Sequence, residues 1–339
     1  MVKPSWMDTG VTPQTLRLDE TRATAFSSFA KGRSRDWPRR LWRRELVHER
    51  LSGRMLTTLD HVVIAVRDLA AATDVYARLL GRRPSWRGSH PTYGTANTLF
   101  RLENLYVELL APQRPGPISD RLVGWLGNHG EGLFALAFGA PDAESCAREL
   151  RARGVDATDP IDGAGNEERT GAERRWRNVL LPEAQTLGVT IFAIEHRSPT
   201  ACLPLAEPVE EPVSAIAGCD HVVINTRSPD RARSFYGGTL GLRLALDRSF
   251  PDWGVRLLFF RIGGITVEIA APLAASDLEG DDRLWGISYR VPDVEAAHAR
   301  LARQGFDVSD VRPGRKPATH VCTVRGEPCG VATLLIAHD

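Results

Sequence analysis

The stretch Leu59-Asp-His-Val-Val-Ile-Ala-Val-Arg67 returns 160 residues later as Cys219-Asp-His-Val-Val-Ile-Asn-Thr-Arg227. The same offset, without a gap, aligns further identical pairs: Tyr76 with Tyr236, Leu80-Gly81 with Leu240-Gly241, Phe100-Arg101 with Phe260-Arg261, Val107-Glu108 with Val267-Glu268, and Ala111-Pro112 with Ala271-Pro272. Chance does not keep one register over about fifty residues, so the two halves descend from one unit.

Each half divides again into two units of the order βαβββ. Amphipathic stretches that end at a glycine predict helices at Leu69–Leu80, Asp142–Arg153 and Asp293–Gln304. Extended, apolar stretches predict the strands around them, near Asp60–Val66, Pro84–Arg87, Thr98–Leu102, Leu105–Leu110, Leu133–Phe138, Trp176–Leu181, Val189–Ile194, Trp285–Val291, His320–Val324 and Ala332–Ile336. The sequence therefore predicts an α+β protein of two tandem domains, each built from two βαβββ modules.

These units divide the chain into four segments. Residues 1–54 hold 12 Lys and Arg against 6 Asp and Glu, and this basic, unpatterned composition predicts a poorly ordered N-terminal extension. The first domain is expected at 55–198 and the second at 217–339. Between them, 199–216 is rich in proline and glutamate, which predicts a stiff, solvated linker.

Composition narrows the functional class. Residues 55–339 carry 31 Lys and Arg against 36 Asp and Glu, so this part of the chain is slightly acidic, which argues against nucleic-acid binding. No apolar run approaches the ~18 residues needed to span a membrane. Five cysteines without a CxxC pair indicate neither a disulfide framework nor a cysteine zinc site, so we expect a cytoplasmic protein. The sequence leaves open whether it is a monomer or a homodimer.

At this point the motifs resemble a known family. The opening Asp60-His-Val-Val-Ile64, the helix that closes on Tyr-x-x-x-Leu-Gly and the later strand Val-Glu-Leu/Ile are similar to the vicinal oxygen chelate superfamily of glyoxalases, bleomycin-resistance proteins and dioxygenases. The first domain resembles the glyoxalase-like branch in further stretches: Ser89-His-Pro-Thr-Tyr-Gly-Thr-Ala-Asn-Thr-Leu99, Arg175-Trp-Arg177 and Phe192-Ala-Ile-Glu195.

The resemblance implies that each pair of modules curls into a cupped mixed sheet with metal ligands on the first and last strands. The residues that match are His61 and Glu108 in the first domain, and His221 and Glu268 in the second, each pair 47 residues apart. Imidazole nitrogen and carboxylate oxygen suit a divalent Zn, Fe, Mn, Ni or Co ion. Glu108 and Glu268 are also the candidate catalytic groups, as ligands or proton carriers.

The remaining ligand positions carry no donor. In modules two and four they fall on Ala135 and Phe192, and on Gly286 and Leu335. Each domain therefore offers two ligands where a catalytic zinc normally has three. This deficit argues against the extradiol dioxygenase triad and against a complete glyoxalase I site.

Six further residues are candidates for contacting a small-molecule substrate: His90, Asn97, Trp176, Glu195, Arg315 and Lys316. Arg315 and Lys316 belong to a basic turn suited to an anionic group. The alternatives are a solvated loop for His90 and for the basic turn, and a core position for Trp176. Because the first domain keeps more of these residues, we expect it to hold the main ligand site.

Two hypotheses follow. One is a metal-dependent enzyme of lyase or isomerase type, in which a small oxygenated metabolite chelates the ion through adjacent oxygens. The other is a metal-free protein that binds or sequesters a small molecule. The doubled His–Glu pair favours the first hypothesis, and the missing ligands favour the second.

Overall fold

The computed structural model describes residues 54–274 and 280–339, which form two eight-stranded sheets, one in each half of the chain. The two tandem domains and the α+β class predicted above are confirmed. The predicted N-terminal extension lies outside the described residues except for Arg54.

The first sheet closes on itself as a barrel. Its order is β1-β4-β3-β2-β6-β7-β8-β5, and the pairs Gly88–Glu167 and Ser89–Asn166 join β2 to β6. The strands are β1 Thr58–Ala65, β2 Trp86–His90, β3 Thr95–Arg101, β4 Tyr106–Pro112, β5 Gly132–Gly139, β6 Ile161–Glu167, β7 Glu173–Leu180 and β8 Thr190–His196.

The second sheet repeats this order but ends in two edges. It runs β10-β11-β12-β9-β13-β16-β15-β14, so β10 and β14 stand where β2 and β6 stand in the first sheet. The strands are β9 Gly218–Asn225, β10 Arg243–Phe250, β11 Val255–Ile262, β12 Ile265–Pro272, β13 Arg283–Arg290, β14 Arg312–Pro313, β15 Thr319–Val324 and β16 Ala332–His338. The difference leaves the second sheet as an open cup.

The helices are α1 Leu69–Leu80, α2 Pro117–His129, α3 Ala143–Ala152, α4 Pro229–Ala232 with its π-helical continuation Arg233–Thr239, and α5 Val294–Arg303. Most helices cover the outer faces of the sheets, whereas α2 packs through Leu122 and Leu126 against the interior-facing residues Val63 and Leu110 of the first barrel. The Asp68 side chain accepts a hydrogen bond from Ala71 at the start of α1, and Gly81 ends it at a φ of 64° that glycine adopts without strain. Within the described ranges no helix is long and apolar enough to cross a membrane.

Three elements were not predicted from the sequence, α2, β6 and β14. Strand β6 has the sequence Ile-Asp-Gly-Ala-Gly-Asn-Glu, which is poor in the residues that favour strands. Its glycines are required by packing, because a Cβ atom on Gly163 would lie 2.3 Å from Nε1 of Trp176. Tertiary contact therefore decides this strand, which local propensity does not indicate.

The segment between the domains is anchored to them at a few buried positions, while its proline- and glutamate-rich part, residues 207–213, is exposed as its composition predicts. Ala206 is 1% exposed and donates its N–H to the Arg101 carbonyl. Across the domain boundary the buried Arg300 guanidinium donates to the carbonyls of Ser214, Arg78 and Leu79, at the end of α1. These contacts satisfy carbonyl groups that a helix end otherwise leaves unpaired.

Candidate functional site

The first and last strands of modules one and three lie side by side and bring each His–Glu pair together. In the first domain His61 Nε2 lies 3.5 Å from Glu108 Oε2, and in the second His221 Nε2 lies 3.7 Å from Glu268 Oε2. The parallel register explains the spacing of 47, since Val63 pairs with Glu108 and Val223 with Glu268. Both histidine–carboxylate pairs face the interior of their sheets.

In each pair the preceding aspartate forms a hydrogen bond with Nδ1 of the histidine, the ring nitrogen that faces away from the glutamate. His61 Nδ1 lies 2.8 Å from Asp60, and His221 Nδ1 lies 2.9 Å from Asp220. Burial raises the pKa of the Asp220 carboxyl. Hydrogen bonds from His221 and His338 lower this pKa by more than burial raises it, so the net pKa lies below its usual value. The carboxylate thus fixes the orientation of His221 and directs Nε2 towards the interior.

The last strand of each domain supplies a second histidine to the same aspartate, a feature that the sequence analysis missed. His196 Nε2 lies 3.0 Å from Asp60, and His338 Nε2 lies 2.8 Å from Asp220. The sequence contains a signal for it, since β8 and β16 both end on histidine. In each domain four side chains therefore contact one another in the order His–Asp–His–Glu.

The interior of the first barrel is filled by its own side chains. The Tyr106 ring stacks on His61 at a centroid distance of 4.3 Å, and Phe192 meets the same imidazole edge-on at 5.5 Å. Asn97 Nδ2 donates to Glu108 Oε1 at 2.7 Å and lies 3.2 Å from Nε2 of His90. His90, expected in a loop, is therefore a buried strand residue within this network.

The other first-domain candidates are also accounted for by packing. Trp176 packs inside the barrel against Ala137 and Ile194. Glu195 lies on the outer face, where Oε2 accepts from the N–H of Ala143 at the start of α3 and Oε1 accepts from Arg197. It was predicted as a pocket residue, and this position makes it a helix cap instead, because strand residues alternate between the two faces of a sheet.

The second domain contains a cavity of about 500 Å3. Its apolar wall includes Val223, Val255, Leu257, Phe259, Ile287 and Leu334, and His221 and Glu268 lie on its surface. A volume of this size is typical of sites for small organic molecules. The expectation that the first domain holds the main ligand site stays a prediction, and this cavity makes the second domain the alternative location.

Two differences between the domains account for this space: helix α2 packs into the first barrel and has no counterpart among the described residues between β12 and β13, and three equivalent positions carry smaller side chains. Tyr106 and Leu110 of the first domain correspond, at the offset of 160, to Thr266 and Ala270. Trp176 pairs with His196 across its sheet as Thr319 pairs with His338, so Thr319 takes the place of the indole. Small side chains on three neighbouring parts of the wall leave a void that their larger counterparts fill in the first barrel.

In module four the last-strand position was assigned one residue too far along the strand. Gly286 pairs with Ala332, so the position equivalent to Glu268 is Leu334, which lines the cavity. Leu335, assigned to that position from the sequence, is fully buried on the opposite face of the sheet. Neither residue is a metal ligand, so the donor count is unchanged.

The predicted basic turn lies at the cavity. The Arg315 guanidinium carbon stands 3.8 Å from the centroid of the Trp253 ring. Burial lowers the pKa of Arg315 to about 10 and that of Lys316 to about 8. In all, five cationic side chains and three carboxylates line the cavity: Arg227, Arg283, Arg312, Arg315 and Lys316 against Asp220, Glu268 and Asp281.

The donors do not fit a catalytic ion held by the protein alone. Two ligand atoms 3.5–3.7 Å apart are compatible with one ion at ~2.0–2.2 Å from each, but no third protein ligand accompanies them. Among residues 54–274 and 280–339 there is no group of three His, Cys, Asp or Glu suited to a metal. In the second domain Arg315 also acts electrostatically on Glu268, which opposes the binding of a dication.

Comparison with known proteins places this fold. A model of the glyoxalase-like domain matches residues 59–218, and a model of the glyoxalase/bleomycin resistance protein/dioxygenase superfamily matches residues 220–323. No curated protein matches the sequence.

Solved structures share the architecture of both domains. A variant of 4-hydroxymandelate synthase from Streptomyces coelicolor is similar with a TM-score of 0.62 at 14% identity, over 84% of this chain and 93% of that one. A hypothetical protein from Staphylococcus aureus gives a TM-score of 0.56 at 11% identity, over 83% and 100% of the two chains. At these identities the likeness concerns the fold. With both family matches, it shows that the chain belongs to the glyoxalase/bleomycin resistance protein/dioxygenase superfamily, the vicinal oxygen chelate proteins, and carries two of its domains in tandem.

Proposed function

We propose that the protein binds a small molecule in the cavity of its second domain without a resident metal ion, and that the first domain is a structural scaffold. The observation that carries this proposal is the contrast between the two interiors. Tyr106, Leu110 and Trp176 occupy the first, whereas Thr266, Ala270 and Thr319 leave about 500 Å3 in the second.

Charge supports the same assignment. Asp220 accepts hydrogen bonds from His221 and His338, so both of its carboxylate oxygens already have partners. Burial raises the pKa of the Glu268 carboxyl, although His221 and Arg315 lower it in part. The cations that line the cavity therefore face few uncompensated negative charges, which favours an organic ligand over a metal ion.

The function is tested by screening a fragment library with ligand-observed NMR against the full-length, chelator-treated protein. Ala270→Leu installs the side chain that the first domain has at the same place, so it fills the cavity with a residue that the fold accepts. The matched control is Ala299→Leu on the exposed face of α5. We expect fragments that bind the native protein and the control but not Ala270→Leu. Hits that persist in Ala270→Leu would place binding elsewhere and contradict the proposal.

A metal-dependent lyase or isomerase is the second candidate. The observation in its favour is that Asp220 holds Nδ1 of His221 while Nε2 faces Glu268 at 3.7 Å, an orientation typical of metal-binding histidines. His221 and Glu268 would hold such an ion, and a chelating substrate would have to supply the ligands that the protein lacks. Metal-dependent binding of fragments that carry two adjacent oxygens would favour this candidate.

A further inference from the structure

The cavity of the second domain has one end that is polar and a larger part that is apolar. The polar end is centred on His221 and Glu268. Arg315 and Lys316 line the same cavity. The positive charge of Arg315 interacts with Glu268, and that of Lys316 with Asp220 and His221, so both cations lie near the His221–Glu268 pair. The aliphatic and aromatic wall makes up the rest of the lining.

A buried hydroxyl group completes the polar end. Ser288 is 1% exposed, lines the cavity and pairs with His221 across the antiparallel strands. Its Oγ has no hydrogen-bond partner among the described residues. A buried hydroxyl without a hydrogen-bond partner destabilises the folded state, so a ligand oxygen at this place would remove a penalty that the fold otherwise carries.

The first domain shows that this hydroxyl is not required by the fold. The residue that pairs with His61 in the closed barrel is Ala137, whereas its counterpart beside His221 is Ser288. The hydroxyl thus occurs in the domain that has the cavity, beside the pair that the two domains share.

The position of Arg315 is fixed by a stack of aromatic rings. Its guanidinium lies on the Trp253 ring, Phe250 stacks on Trp253 at 4.5 Å and an interplanar angle of 10°, and Arg248 lies over Phe250. The N–H groups of a guanidinium lie in the plane of the group and at its edge, which is the geometry with which arginine binds carboxylates. Little conformational entropy is then lost when a ligand binds.

We infer that the ligand is an apolar organic acid, whose carboxylate binds at Arg315, Lys316 and Ser288 while its hydrocarbon part fills the apolar remainder of the cavity. This inference rests on the proposed binding function. Aromatic acids and medium-chain fatty acids share this chemistry, and the experiment separates them.

The test measures the affinity of the full-length protein for two acids, cinnamate and octanoate, and for the matching alcohols, cinnamyl alcohol and octanol. The variants are Arg315→Gln and Ser288→Ala, with Arg325→Gln as the matched control, because Arg325 is an exposed arginine of the second domain outside the cavity lining. We expect an acid to bind at least about tenfold more tightly than its alcohol, and Arg315→Gln to remove that advantage, since hydrogen bonds between charged groups are stronger than neutral ones. Retained binding of the alcohol in Arg315→Gln shows that the variant is folded.

The outcomes are distinct. Preference for cinnamate over octanoate identifies a flat aromatic acid, and the reverse a flexible chain. Alcohols that bind as tightly as acids, with binding lost in Ala270→Leu, would overturn the acid while the proposed function stands. Equal loss in Arg325→Gln and Arg315→Gln, or no binding of any probe, would overturn the inference. The fragment screen decides the proposed function separately.

Discussion

Thr266 holds in the second domain the place that Tyr106 holds in the first, next to the shared histidine on the neighbouring parallel strand. In the first domain the Tyr106 ring stacks on His61 and helps to close the barrel, whereas Thr266 lines an open cavity. This exchange within a duplicated unit is thus a structural difference between the interiors of two domains of the same fold.

Removal of metal should leave ligand binding unchanged. The second domain offers His221 and Glu268 as ligands, with Arg315 close enough to lower the pKa of Glu268, so we expect well below one ion per chain in purified protein. Elemental mass spectrometry measures this, before and after dialysis against a chelator. A stoichiometric ion that is retained by native protein and lost in His221→Ala would refute this prediction.

Gly163→Ala should destabilise the first domain by about 1–3 kcal/mol, the usual cost of overpacking. The new methyl group would lie 2.3 Å from Nε1 of Trp176, which fills the barrel. Urea unfolding measures the loss. The control is Gly124→Ala on α2, where a Cβ atom has no neighbour within 4 Å and should stabilise the helix by up to ~1 kcal/mol. Equal effects of the two substitutions would show that Trp176 does not pack as described.

Asp282 should make the stability of the protein depend on pH. Its carboxyl is 5% exposed, and burial raises its pKa to about 6, with a partial offset from the hydrogen bond of Thr226. Because the folded-state pKa lies above the unfolded value of about 3.9, the native state binds this proton more tightly. The free energy of unfolding therefore falls as pH rises from about 4 to above 6.

Asp282→Asn removes that titration. The variant should be more stable than the native protein by up to about 3 kcal/mol at pH 8 and should lose this advantage near pH 4. Chemical unfolding at the two pH values checks it. The same difference at both pH values would mean that Asp282 is not the group responsible.

Acid binding in the second domain should weaken above pH 8. Burial lowers the pKa of Lys316 to about 8, so its positive charge is lost as pH rises through that value. Burial lowers the pKa of His221, but the hydrogen bond that His221 donates to Asp220 and the negative charges of Glu268 and Asp220 together raise it by more, so the net pKa lies above its usual value and loss of this proton weakens binding as well.

Lys316→Arg separates the two contributions. The arginine stays charged, so cinnamate affinity at pH 9.5 should fall less in Lys316→Arg than in the native protein, and titration calorimetry at pH 6.5 and 9.5 measures both. If the two proteins lose affinity to the same extent, Lys316 does not contact the ligand.

The repeated motif was sufficient to predict the two domains, the helices that end at Gly81, Gly154 and Gly305, and the meeting of His61 with Glu108. These features depend on local pattern and on strand order. The cavity was not predicted, because it depends on side-chain volume at positions such as Leu110 and Ala270, which neither hydrophobic pattern nor motif spacing distinguishes. Glu195 was misassigned for a related reason, since its face of the strand follows from register, and register is fixed by pairing with distant strands.

The most direct test of the central claim is the stoichiometry of cinnamate binding, measured by titration calorimetry on the full-length, metal-free protein. The cavity of the second domain, together with the side chains that occupy the interior of the first barrel, predicts one molecule per chain. The double variant Thr266→Tyr, Ala270→Leu, which gives the second domain the side chains of the first, should bind none and should still unfold cooperatively. Two molecules per chain, or undiminished binding by the double variant, would contradict the account.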